Sequence, residues 1–287
     1  MNTVRGLVQA MAERLDAACL AFGHGTTNAD DEAAWLVLWR LGLPLDALEE
    51  HAGDAVSAGQ QAAVQALVEE RIRSRRPAAY LTGEAWLQGV PFFVDERVIV
   101  PRSLVAEPLA DGTLDAWLNE RTHRVLDLCT GNGSLAVLAA LAWPAVVVDA
   151  TDLSADALAV AAINVQRHGL QDRITLRQGD GLAAAQGRYD LILCNPPYVN
   201  ERSMNKLPPE YQAEPALALA GGSDGMDFIR RLQRHASHYL NDEGVLVLEV
   251  GNERAHFEAA FKRLPAIWLP TSAGDDQVLL LTKEQLP

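Results

Sequence analysis

The chain reads as an α/β protein, with a mostly parallel sheet in its C-terminal two thirds and a small helical domain before it, joined by a β-hairpin. Three features predict this. Apolar runs such as Leu191-Ile192-Leu193 and Leu246-Val247-Leu248 are bounded by polar residues and prolines, as in strands buried on both faces. Strand and helix patterns alternate from residue 104 to the end. Residues 1–75 instead carry helical periodicity alone.

The elements follow in order. Leu7, Met11, Leu15 and Leu20 mark one amphipathic helix, and Asp30 or Asp31 starts another that carries Trp35, Leu36, Leu38 and Trp39. Trp35 and Trp39 stand four apart, on one face that fills the core of this domain. Pro44 opens a third, short segment, and residues 62–75 form a fourth helix. From Tyr80 to Val100 aromatic and β-branched residues rise, with Gly83 and Gly89-Val90-Pro91 as turns, which predicts the hairpin. The expected organisation is a helical recognition domain over 1–78, a β-hairpin linker over 79–103 and the sheet domain over 104–287. Strands are expected at 124–128, 146–148, 174–177, 189–194, 246–250 and 277–282, with a helix over 252–262. Residues 200–225 are long for a connection, which suggests a lid or a substrate-shaping loop containing Glu210, Tyr211 and Glu214.

Composition limits the partners. Lys+Arg of 24 against Asp+Glu of 38 gives a net charge of −14, which repels polyanions and steers basic proteins toward the chain. A cationic run at Arg71, Arg73, Arg75 and Arg76 fits either a nucleic-acid patch or a helix C-terminus complementing its dipole, and the second reading is preferred. Cys19, Cys129 and Cys194 have no C-x-x-C spacing and read as free thiols of a reducing cytoplasm. The histidines are scattered, so no metal site is expected. Glu13, Arg14 and Asp16 interrupt the apolar residues at the start, unlike a signal peptide, and the richest apolar stretch is too short to span a bilayer.

The most informative segment is the strand that ends in Asn195-Pro196-Pro197-Tyr198. In an open α/β sheet, ligands bind at the carboxyl ends of the strands, and two prolines stop the strand in a rigid extended loop. The Asn195 side-chain oxygen and the Pro196 carbonyl can each accept one hydrogen of a substrate NH2, Pro197 adds no competing N–H, and Tyr198 offers a flat surface. This suits alkylation of a conjugated amide or amine, whose alkylated cation loses its proton without a strong base. The bland reading is an ordinary Asn-Pro turn after a strand.

A second constellation lies upstream. Asp127-Leu128-Cys129-Thr130-Gly131-Asn132-Gly133 reads as strand end and glycine turn before a helix, where the backbone can approach a ligand closely. Asp152, nineteen residues after Gly133, stands where a second strand's acidic end meets ribose hydroxyls, followed by Leu153, while Asp149 faces elsewhere. Asp180 and Gly181 end the third strand, placed to bracket an adenine. Each has a structural alternative: Asp152 can cap the helix beginning near Ser154, and Asp180 can make a turn.

Together these strand ends resemble the class I, Rossmann-like S-adenosyl-L-methionine-dependent methyltransferases. The resemblance implies that Asp127 and the loop with Cys129, Thr130, Gly131, Asn132 and Gly133 hold the methionine part, Asp152 the ribose, and Asp180 and Gly181 the adenine. Arg76-Pro77-Ala78-Ala79-Tyr80, Val94-Asp95-Glu96-Arg97 and Glu214-Pro215-Ala216-Leu217-Ala218-Leu219 are similar to the flanks of the protein glutamine methyltransferases. Pro101-Arg102-Ser103, Leu207-Pro208-Pro209-Glu210-Tyr211 and Thr282-Lys283-Glu284-Gln285-Leu286 resemble the branch acting on large-subunit ribosomal protein three, rather than the release-factor branch. Leu104-Val105-Ala106 departs from that branch's Pro-Ile-Gly, which bears on a local turn. The resemblance implies glutamine-amide methylation of a basic ribosomal protein, without stable nucleic-acid binding. Release-factor methylation and adenine methylation are the alternatives.

Overall fold

The computed structural model describes residues 3–287, and packing divides the chain into two compact units. One comprises Met1–Ala85 with Leu207–Glu214, and the other comprises Trp86–Lys206 with Pro215–Pro287. The limits expected at residues 78 and 103 are therefore not where the contacts divide the chain. The first unit continues through the short helix Ala78–Thr82 and takes in part of the 200–225 connection.

In the first unit the helices Val4–Ala17, Ala29–Leu41 and Ala58–Ser74 bury Leu7, Met11, Leu15, Leu36, Leu38, Val64 and Val68. Their starts are fixed by side chains that accept otherwise unpaired N–H groups. Asn28, not Asp30 or Asp31, caps the second helix, and a capping box between Ser57 and Gln60 starts the third at Ala58, ahead of the expected residue 62. Leu20 is buried beyond the end of the first helix. Trp35 is buried, while Trp39 is only partly so.

The cationic run is largely turned inward. Arg71 is fully buried; its Nε donates to Glu32 at 2.8 Å, and its Nη1 lies 3.5 Å from Glu210. Arg75 Nε stands 2.7 Å from the same Glu210 carboxylate, and its Nη groups donate to the carbonyls of Ala18 and Cys19. Burial pushes the Glu32 carboxyl up, opposed by the Arg71 guanidinium. His24 and Glu214, both buried, lie 3.6 Å apart, and the His24 ring packs on Tyr211. The residues whose roles the sequence left open thus belong to a buried ionic cluster of the first unit.

Where the chain passes to the second unit, β1 (Glu84–Leu87) and β2 (Val90–Phe93) form the expected hairpin. Its turn is Gln88-Gly89, both with positive φ, as a tight two-residue hairpin requires, so Val90 and Pro91 lie in the strand rather than the turn. The main sheet contains β3 (Arg124–Leu128), β4 (Val147–Asp152), β5 (Ile174–Gln178), β6 (Tyr189–Cys194), β7 (Leu240–Glu249), β8 (Ile267–Thr271) and β9 (Gly274–Thr282). Their order is β5-β4-β3-β6-β7-β9-β8; the first five run parallel, and β9 is antiparallel to both its neighbours. β8 was not expected, because it is short and contains Pro270, which its edge position tolerates. The helix expected over 252–262 is divided into a 3-10 turn, Gly251–Glu253, and the helix Arg254–Ala260.

Alternate residues of the central strands feed two cores. Val125, Leu191, Leu193 and Val247 face the wholly buried stretch Leu135–Ala140 of the helix Ser134–Ala142, whereas Leu126, Leu128, Ile192 and Leu248 pack with Met226, Ile229 and Phe257. Burial on both faces explains why these strands read as continuous apolar runs. Asp149 ties three strands to its own, accepting from Arg124 at 2.8 Å, Tyr189 at 2.8 Å and Arg177 at 3.2 Å.

Asn164, in the helix Ala155–Arg167, connects the hairpin to the glycine loop. Its Oδ1 accepts from Phe93 N at 2.7 Å, and its Nδ2 donates to the carbonyls of Phe93 and Asn132, each at 2.9 Å. Asn164→Ala strips partners from three backbone groups, and the expected loss is about 2–4 kcal/mol, read as a lower urea midpoint with unchanged slope. A midpoint equal to that of the wild type would show that solvent replaces all three bonds.

Candidate active site

Register places the site. Leu128 at the end of β3 pairs with Thr151 on one side and Cys194 on the other, Cys194 pairs with Leu248, and Asp152 with Gln178. The carboxyl ends of five parallel strands therefore lie side by side. β3 and β6 meet where the chain reverses direction across the sheet, the topological switch point at which such sheets open a crevice. A cleft opens there, and Thr130, Gly131, Asp152, Gly181, Asn195 and Pro197 are among the residues that line it.

The glycine loop leaves β3 through Cys129, which holds a left-handed φ of 63°. Thr130 N donates to Thr151 O at 2.9 Å, tying the loop to β4. The two glycines differ in purpose. A side chain on Gly131 (φ 55°) would meet nothing within 4 Å, so its absence leaves the cleft open, whereas a Cβ on Gly133 would come 3.2 Å from that of Ala161. Gly133 serves helix packing and does not line the cleft.

Asp127 likewise does not line the cleft. It is fully buried beneath the loop, where Oδ2 accepts from Thr130 Oγ1 and from Ala136 N at 3.0 Å. Burial pushes its carboxyl up to about 7, with the Thr130 and Ala136 donors opposing and the Asp152 charge adding to the rise. Asp152 lies at the rim, with Oδ2 accepting from Gly131 N and Oδ1 from Ser154 N, both at 2.9 Å. The cap of the following helix is Ser154 itself, so Asp152 joins two loops rather than capping. Burial raises its carboxyl as well. Leu153 is exposed at the mouth of the cleft, and Asp180 is exposed and paired to Arg231 at 2.9 Å.

On the β6 side Asn195 and Pro197 line the cleft, while Pro196 is buried and Tyr198 stands behind. Tyr198 donates its hydroxyl to Glu249 Oε1 at 2.8 Å. Its surroundings have no spare room: a Cβ on Gly251 would lie 2.4 Å from the ring, and one on Gly221 2.7 Å from Tyr198 Cα. Cys194 is wholly buried at the strand end, and burial first, then the neighbouring Cys129, raises its thiol.

Several residues escaped the sequence reading. Phe228 and Arg231 join Asp180 and Gly181 at one end of the cleft, with the Arg231 guanidinium 5.6 Å from the Phe228 ring centre. They come from the helix Asp227–Gln233, whose seven residues carry too little periodicity to be found. Arg102 and Ser103 form another wall. Glu249 did carry a signal, as an acid closing an apolar strand.

Three buried polar atoms beside the cleft have no hydrogen-bond partner: Asp127 Oδ1, Asn132 Nδ2 and Thr151 Oγ1. With the open space over Gly131, they fit a ligand carrying both polar and cationic groups. Among the described residues there is no cluster that could hold a metal ion, and no helix is long and apolar enough to cross a membrane.

Residues 112–208 match the family described as methyltransferase small domain, and residues 9–83 match the PrmC N-terminal domain. The chain is 55% identical to the ribosomal protein uL3 glutamine methyltransferase of Bordetella pertussis, covering 100% of this chain and 97% of that protein. It is 47% identical to the uL3 glutamine methyltransferase of Neisseria meningitidis serogroup B, over 100% of this chain and 95% of the relative. The enzyme of that name from Bradyrhizobium diazoefficiens is 44% identical, over 99% and 92%. Among solved structures, the hMettl16 catalytic domain in complex with a MAT2A 3′UTR hairpin has a TM-score of 0.51 at 14% identity, covering 80% of this chain and 84% of that one, a likeness of fold alone. By identity along its whole length, the chain belongs to the ribosomal protein uL3 glutamine methyltransferases.

Proposed function

We propose that the chain transfers a methyl group from S-adenosyl-L-methionine to the side-chain amide nitrogen of a glutamine in the large-subunit ribosomal protein uL3. The observation that carries this reading is the opening of Asn195 and Gly131 into one cleft, from neighbouring parallel strands. When bound, S-adenosyl-L-methionine supplies an electrophilic methyl group on a sulfonium sulfur.

The chain's own residues bind and orient. The Gly131 backbone and the unpartnered atoms of Asn132 and Thr151 receive the methionine part, with Asp127 acting from beneath by shaping the loop. Each Asp152 oxygen already takes one backbone N–H and retains a lone pair for a ribose hydroxyl. Leu153, Phe228, Asp180 and Gly181 bracket the adenine. Asn195 and the Pro196 carbonyl accept the two hydrogens of the glutamine NH2, which aims the nitrogen lone pair at the methyl carbon, and Tyr198 backs that loop. No base is required, since an N-methylated amide cation sheds its proton to water.

The net charge of −14 supports a basic protein as acceptor. We assign recognition of that protein to the helical first unit, which also claims residues 207–214, just after the tetrapeptide.

The assignment is tested by peptide mass mapping after incubation with labelled S-adenosyl-L-methionine and two acceptors, purified uL3 and a release factor. One added methyl on a uL3 glutamine is expected; methyl on the release factor alone would move the chain to the other acceptor. Asn195→Ala should lower the rate of transfer by about 100-fold or more, while calorimetry finds cofactor affinity within about threefold of wild type. Loss of cofactor binding together with activity would remove Asn195 from the acceptor side. Asp152→Ala should weaken cofactor binding by about 10–100-fold, equivalent to about 1.4–2.7 kcal/mol. An unchanged dissociation constant would exclude the ribose role.

A further inference from the structure

Glu249 is the last residue of β7 and only 3% exposed. A carboxylate in such a place costs several kcal/mol unless donors surround it. Three do: Tyr198 Oη at 2.8 Å on Oε1, and Ser103 Oγ at 2.6 Å with Leu104 N at 2.9 Å on Oε2. These donors come from separate stretches of chain. Tyr198 closes the Asn195-Pro196-Pro197-Tyr198 loop, and Ser103 is a wall of the cleft that receives the cofactor.

Tyr198 has little freedom apart from this bond. A Cβ on Gly225 would lie 2.2 Å from Tyr198 O, and Gly221 and Gly251 leave equally little room, so the backbone and one edge of the ring are walled in by glycines. The hydroxyl end donates to Glu249. The bond thus fixes the ring, and through the ring the loop, to the same carboxylate that fixes Ser103.

We propose that Glu249 is a positioning residue for methyl transfer, which sets the acceptor loop against the cofactor wall by bonding Tyr198 and Ser103 at once. It touches neither the acceptor amide nor the cofactor. The inference rests on the function proposed above. Its consequence is kinetic: loosening the loop misplaces the acceptor nitrogen, and misplacement by about 1 Å costs about 100-fold in rate. Cofactor binding, which draws on β3, β4 and β5, is largely spared.

The test is a double-mutant cycle on the full chain, with uL3 as acceptor and cofactor affinity measured by calorimetry. Glu249→Ala should lower kcat/KM for uL3 by about 100-fold with cofactor affinity within about threefold. Tyr198→Phe should cost about tenfold in wild type but distinctly less beside Glu249→Ala, because the bond to Glu249 is already gone. Glu249→Gln keeps an acceptor for Tyr198 and a donor for Ser103, losing only the Leu104 N–H partner, and should recover most of the activity.

Additive losses in the cycle, or a Tyr198→Phe variant as active as wild type, would overturn the proposal. If Glu249→Ala does not fold, Tyr198→Phe and Glu249→Gln decide alone: the tenfold loss and the rescue support it, and their absence refutes it. Wild-type enzyme that methylates neither uL3 nor a release factor would instead fail the proposed function, and this inference with it.

Discussion

The parallel pairing of β3 with β6, with Leu128 facing Cys194, makes one site out of two loops that lie more than sixty residues apart in sequence. All that follows the two strands is placed by that register. The glycine loop begins one residue after Leu128, and Asn195 one residue after Cys194. A slip of a single residue would turn Val125, Leu191 and Leu193 to the wrong core as well as misalign the loops. The hydrophobic pattern that stabilises the sheet therefore also guarantees the geometry of the cleft, and the site requires no separate scaffold.

Around this pairing, buried carboxylates hold the irregular backbone. Asp127 accepts from Thr130 and Ala136 beneath the glycine loop, Asp152 joins Gly131 to Ser154, and Glu249 joins Tyr198 to Ser103 and Leu104. Strand ends and turns leave N–H groups that no ladder satisfies, and a carboxylate can take two or more of them at once. The cost appears as raised carboxyl pKa values, with burial the leading cause at all three. The Asp152 charge adds to the rise at Asp127.

Much of this was legible in the chain itself. The central parallel strands announced themselves as apolar runs because both faces are buried, and Asn195 and Asp152 lie at the carboxyl ends of strands, where open sheets bind. The failures have physical causes as well. Short edge elements such as β8 and the helix Asp227–Gln233 are fixed by tertiary packing rather than by periodicity, so Phe228 and Arg231 could not be placed. Asp127 lies in β3 and Gly133 at the end of the glycine loop, and whether a residue there faces the cleft or the loop's underside depends on side-chain direction, which spacing does not encode. The membership of residues 207–214 in the first unit was hidden for a different reason. It rests on the ion pairs of Glu210 with Arg71 and Arg75, whose partners are separated by well over one hundred residues.

The acid and base groups of the chain also indicate how the reaction gains its rate. Asn195, Pro196, Pro197 and Tyr198 include no group that exchanges a proton near neutral pH. Both oxygens of Glu249 and one of Asp127 are taken by backbone and hydroxyl donors, and burial raises the Cys194 thiol. General acid–base catalysis has no candidate at the acceptor loop, and the chemistry does not demand one, because the proton leaves after the new bond forms. What remains is orientation: two acceptors on a rigid loop, presented to a neighbouring loop at a spacing the sheet fixes. In such a site accuracy of placement takes the part that a tuned pKa takes elsewhere. The double proline, the glycines packed round Tyr198 and the Glu249 carboxylate together restrict the loop that the proposed mechanism sets against the acceptor amide.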